Sequence, residues 1–167
     1  NSEKNDELIK DLTKQIKSLG GKPTLDELDQ KSLIKNLAKQ LDTLSVKSIL
    51  NDKTKNKIYD EEIKGTKIRF QNVDGLPPKE LRKLVDNGKK DLGEGIVVVF
   101  ACKDDKVGVA VGVTDKLISK FDAVKFVKLS SEIIGGQGGG GRKDFAQAGG
   151  QDKNKINEAF EKIKSLI

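Results

Sequence analysis

Residues 133–150 read IIGGQGGGGRKDFAQAGG. Eight of the chain's 17 glycines lie here, and Arg142 and Lys143 follow directly on Gly138 to Gly141. Glycine loses more backbone freedom on folding than any other residue, so such a loop needs a reason. One chemistry it supports is anion binding. Consecutive backbone N–H groups form a concave nest for an anion, and a planar guanidinium matches phosphate geometry. Gly135, Gly136, Gly138, Gly139, Gly140, Gly141, Arg142 and Lys143 are therefore the candidate binding residues. The competing reading is structural: a loop held against a sheet, where missing side chains allow close packing. Composition alone leaves the two level.

Other chemistries fall away. The string Gly136-x-Gly138-x-x-Gly141 matches a dinucleotide fingerprint, but that motif needs a strand before it and a helix directly after. No Gly-Lys-Ser/Thr follows, which removes a Walker loop. With no histidine in the chain, serine–histidine and cysteine–histidine nucleophile pairs are excluded. One cysteine without histidine cannot build a zinc site. Carboxylate-held magnesium survives, yet no Asp/Glu pair stands out. The expectation is no catalytic residue, no metal and no cofactor. Cys102 sits in the apolar run IVVVFAC and reads as a core residue.

These residues need a scaffold, and the sequence divides near Gly65. All six phenylalanines follow that point, and Tyr59 is the aromatic residue before it. Residues 1–64 have a net charge of +1 and residues 65–167 of +5, within a total of +6. The first part reads as helices. Leu8, Leu12, Ile16 and Leu19 form one stripe, Gly20-Gly21-Lys22-Pro23 stops it, and Thr24 to Glu27 matches a capping box. Ile34, Leu37, Leu41 and Leu44 mark a second helix. Such narrow stripes call for a partner, so residues 1–64 are expected as a helical, hairpin or coiled-coil-like spacer or dimerisation segment. Residues 51–65 read as a polar, partly extended link.

Residues 65–167 alternate strands and helices. TKIRFQNV, GIVVVFAC and KVGVAVGV are strands, the last two in a hairpin. Pro77-Pro78 opens a helix that Gly93 caps. A further helix starts near Asp122, FAQA is a short strand, and a last helix starts near Asp152. The fold class is α/β: a mixed sheet of about four strands with flanking helices, after the helical segment. No apolar run reaches the ~18 residues of a membrane span. The basic excess suits a polyanion. Without a secretory signal, and with one buried cysteine, the expected location is cytoplasmic. Asn1 as first residue suggests a piece of a longer protein.

The string GGQGGGGRKDFAQAGG also resembles the signature near the C-terminus of bacterial alanyl-tRNA synthetases. VDGLPPKELRKLVDNGKKDLGEGIVVV and VGVTDKLISKFDAVKFVK resemble that family's upstream segments, in the same order. The resemblance covers residues 65–167; residues 1–64 match only in helical character. It implies a DHH-associated C-terminal domain that binds the outer corner of tRNA and helps aminoacylation and editing act on one tRNA. The ATP-dependent ligase domain and the editing domain would lie outside this chain. Implied partners are alanine tRNA, the rest of the synthetase and a second copy. Two positions depart from the family pattern: Lys143 stands where proline is frequent, and Phe145 where methionine is common. The alternatives are the substrate-holding lobe of a DHH-type phosphoesterase and a pure dimerisation element. Lys89, Lys90, Lys103 and Lys106 are weaker phosphate candidates.

Overall fold

The computed structural model describes residues 2–25 and 29–167. The chain divides into two compact units, Asn1–Asp52 and Lys53–Ile167. In the first, α1 (Ser2–Ser18) packs against α2 (Gln30–Asn51). Leu12, Ile16 and Leu37 are buried between them, with Ile9, Leu33, Ile34, Leu41 and Leu44 around them. The α1 stripe is rotated from the one expected: Ile9, Leu12 and Ile16 face inward at spacings of three and four, while Leu8 and Leu19 are exposed. Helix α2 starts at Gln30, where the Asp29 carboxylate accepts the Ser32 N–H at 2.8 Å. The expected capping box pairs Thr24 with Glu27, and Glu27 lies outside the described residues.

The second unit is built on one sheet. Its strands are β1 (Asn56–Ile63), β2 (Thr66–Asp74), β3 (Ile96–Lys103), β4 (Lys106–Val113), β5 (Gly139–Gly141) and β6 (Phe145–Gly150). They lie in the order β1-β2-β3-β4-β6-β5. β2 and β3 are parallel, joined by α3 (Leu81–Leu92); every other neighbouring pair is antiparallel. β3 and β4 are buried along nearly their whole length, as continuous apolar runs require of strands covered on both faces.

Helix α3 covers one face at unusually close range. A Cβ on Gly88 would meet Val97 Cγ1 at 2.7 Å, and one on Gly112 would strike Val85. The other face carries α4 (Ala123–Ile133) and α5 (Ile156–Lys164). Its core holds Phe70, Phe100, Phe126 and Phe160, with the Phe70 and Phe160 rings stacked at 4.0 Å.

The sheet is mixed as expected but has six strands rather than about four. The two additional strands are its edges. β1 comes from the stretch read as a polar link, which is why the compact units meet at Asp52/Lys53 and not near Gly65. Six of its eight residues are exposed, so no buried face imposes the two-residue alternation that marks a strand in sequence. It is joined to β2 through Lys64 and Gly65, both at positive φ (50° and 82°), the two-residue turn typical of a tight hairpin. β5 consists of three glycines and has no side chains to form a pattern.

Candidate nucleic-acid interface

Helix α4 ends at Ile134, and Gly135 takes the left-handed conformation (φ 79°) that terminates helices. The chain then passes under β6. A Cβ on Gly136 would collide with the Gly149 carbonyl oxygen. The Gly136 N–H donates to Ser131 O at 2.7 Å, and the Gly138 N–H donates to Ser131 Oγ at 3.1 Å. That same hydroxyl donates to Gly149 O at 2.7 Å. Close packing thus occupies Gly136, a left-handed φ of 104° requires glycine at Gly138, and both N–H groups are spent inside the protein.

Gly139, Gly140 and Gly141 continue as β5, opposite Ala148, Gln147 and Ala146. β5 has β6 on one side and is an edge of the sheet on the other. The Arg142 N–H donates to Phe145 O at 2.7 Å and closes the hairpin. The alternation of an antiparallel ladder then turns the N–H groups of Gly139 and Gly141 away from β6. These outward donors lie on a strand edge with no side chains above it.

Arg142 and Lys143 sit in the β5–β6 turn, at the opposite end of the strand from Gly135 and Gly136. The extended run from Gly138 to Arg142 spans about 13 Å. The structure therefore strings the candidate residues along an edge and does not gather them into one nest. Both side chains at the turn are exposed. The Arg142 guanidinium lies 3.3 Å from the Asp144 carboxylate. Lys143 O accepts the Ala123 N–H at the start of α4. Asp144 O accepts from Val113 N and from Lys89 Nζ at 2.8 Å, so Lys89 serves as a strut for the turn. Lys89 and Lys90, with Lys116, line a recess of about 750 Å³ at this end. Phe145 is half-buried, with the Arg82 guanidinium 4.8 Å above its ring.

At the other end, a shallow cleft of about 530 Å³ opens beside the glycine turn. Gly135 and Gly136 line it together with Lys106, Gln137, Gln147 and Gln151. Lys106 was among the weaker sequence candidates. The three glutamine amides were missed, since they become neighbours only when β6 lies between β4 and β5. Lys103 pairs with Lys106 across the β3–β4 turn at the same end.

Burial, and then the Asp74 carboxylate 3.4 Å away, push the Cys102 thiol above its usual range, so it stays protonated near neutral pH. Among the described residues, no group of three or more Cys, Asp or Glu side chains converges to hold a metal ion. Among the same residues, no helix is long and apolar enough to cross a membrane.

Residues 65–167 match the DHHA1 domain. The alanine–tRNA ligase of Hyphomonas neptunium is 48% identical over 107 residues, covering 64% of this chain and 12% of that protein. The alanine–tRNA ligase of Parvibaculum lavamentivorans is 44% identical over 108 residues, with the same coverage of 64% and 12%. The solved C-Ala domain of Aquifex aeolicus alanyl-tRNA synthetase matches with a TM-score of 0.61 at 28% identity, over 65% of this chain and 96% of that one. The chain thus spans about 12% of the length of the curated relatives it matches.

Proposed function

The chain belongs to the DHHA1 domain family, and on that premise we propose that its globular unit is a non-catalytic module gripping the backbone of tRNA at its outer corner. Its place would be within a cytoplasmic alanyl-tRNA synthetase, where holding one tRNA serves both aminoacylation and editing. The observation that carries this reading is the β5 edge. It is a strip of bare backbone with outward N–H groups, flanked by Lys106 at one end and by Arg142 and Lys143 at the other. A polynucleotide backbone can lie along such a strip, because no side chain stands between it and the donors. Contacts of this kind give affinity and register with little base reading, which suits recognition of a folded RNA by shape.

The test is binding of the chain to alanine tRNA across ~50–200 mM salt, beside an unstructured RNA of equal length. The wild type should prefer the folded tRNA. The pair Arg142→Glu and Lys143→Glu should weaken binding about tenfold or more and reduce the log–log salt slope by about two. An unchanged slope in a folded double variant would defeat the reading.

A second reading rests on the helical unit, where Leu8, Leu19 and Leu25 are 40–59% exposed. They support self-association through that unit. Light scattering on the full chain, with and without Leu8→Lys and Leu19→Lys, checks it; a monomer in both removes it.

A further inference from the structure

A second cluster of cations lies at the same end of the sheet as the glycine turn. The starts of β1, β4 and β5 and the ends of β2, β3 and β6 all meet there, as the strand pairings require. A cleft of about 240 Å³ opens at the ends of β2 and β3, lined by Lys55, Lys57, Asn72, Asp74, Lys153 and Asn154. The three lysines come from three places: the approach to β1, β1 itself and the 3-10 turn Lys153–Lys155 ahead of α5. All three are exposed. Among the described residues, none of their ammonium groups has a carboxylate within 4 Å. Asp74, the carboxylate in the cleft, is engaged by the Cys102 thiol. Arg142 differs, for it already shares Asp144.

Three like charges around one hollow repel one another, and the one carboxylate of the cleft, Asp74, offsets only one of them. A bound anion offsets the remainder, with the Asn72 and Asn154 amides as further donors. We propose that this cleft takes a phosphate of the bound RNA backbone, at a contact separate from the β5 edge. The inference rests on the RNA-binding reading above. From the end of β2 to the end of β6 is three strand spacings, about 15 Å. One nucleotide does not cover that distance, and a flexible strand must be ordered to meet both contacts, whereas a folded RNA holds its phosphates at fixed spacing. The second contact therefore favours structured RNA by preorganisation, without reading bases.

The experiment compares the full chain with Lys55→Gln/Lys57→Gln/Lys153→Gln and with a control triple, Lys125→Gln/Lys128→Gln/Lys162→Gln. The control removes the same charge from exposed positions on α4 and α5. Circular dichroism verifies folding, and alanine tRNA is titrated across ~50–200 mM salt. The cleft triple should lower affinity about tenfold or more at ~100 mM salt and reduce the slope by about two to three, while the control shifts affinity less than about twofold. A cleft triple that matches either the wild type or the control overturns the proposal and leaves the β5 reading standing. Failure of the wild type to prefer tRNA is visible before any variant is compared, and it removes both.

Discussion

The two edges of the sheet solve the same problem in opposite ways. An edge strand presents unpaired N–H and C=O groups, and proteins usually guard them with charge. β1 follows that rule. It runs for eight residues, carries Asp60, Glu61 and Glu62, and ties itself down through Arg69, which bridges Asp60 at 2.8 Å and Asp91 at 2.7 Å. Glu61 is held by Lys164 at 2.7 Å. β5 has three glycines and no side chain at all. The acidic stretch Asp60 to Glu62 repels a polyanion, whereas Lys57 lies at the other end of β1 and the bare β5 edge carries no acidic side chain. The sheet has a guarded side and an open side.

The comparison breaks most readily at Gly136. Gly136→Ala drives a Cβ into the Gly149 carbonyl and should cost about 3 kcal/mol. Gly140→Ala meets nothing within 4 Å and should cost under about 1 kcal/mol. Paired denaturation curves check this, and similar costs at both positions would mean that β5 is not an open edge.

Next in size is removal of the guarded edge. A chain starting at Gly65 keeps the whole family match but lacks β1. It uncovers β2 and the Phe70 ring, on which Tyr59 stacks at 6.2 Å. Relative to a chain starting at Lys53, melting should fall by about 10 °C, equivalent to about 2 kcal/mol. Equal melting temperatures would make β1 an appendage.

The smallest effect is on pH. The Arg69 hydrogen bond holds the Asp60 carboxyl below its ordinary range. A depressed carboxylate contributes stability above its unfolded value, near pH 4, and loses it as pH falls through the lower folded value. Asp60 is partly exposed, so the contribution is below about 1 kcal/mol. Arg69→Met should flatten that acid limb in denaturation curves between about pH 4 and 2.

What could be read from the sequence follows burial. β3, β4 and α3 were legible because apolar runs, Pro77-Pro78 and Gly93 encode them locally. β1 and β5 were not, for an edge strand with polar or absent side chains has no periodicity to display. The candidate string was legible as a string. Its layout was not, because FAQAGG had first to pair with both β4 and the glycines. Lys153 is far along the chain from Lys55 and Lys57 and meets them only through the β1–β2 pairing and the approach to α5.

Ser131 is fully buried, on a helix, and its one hydroxyl holds both Gly138 and Gly149. Seven residues that composition would make the fastest-moving part of the chain are fastened to a packed side chain. Exposed loops rearrange in nanoseconds to microseconds, whereas loosening a packed helix belongs to the slower local-unfolding regime. The glycine turn therefore keeps the time of α4, and a partner arriving at this edge meets a surface that is already set.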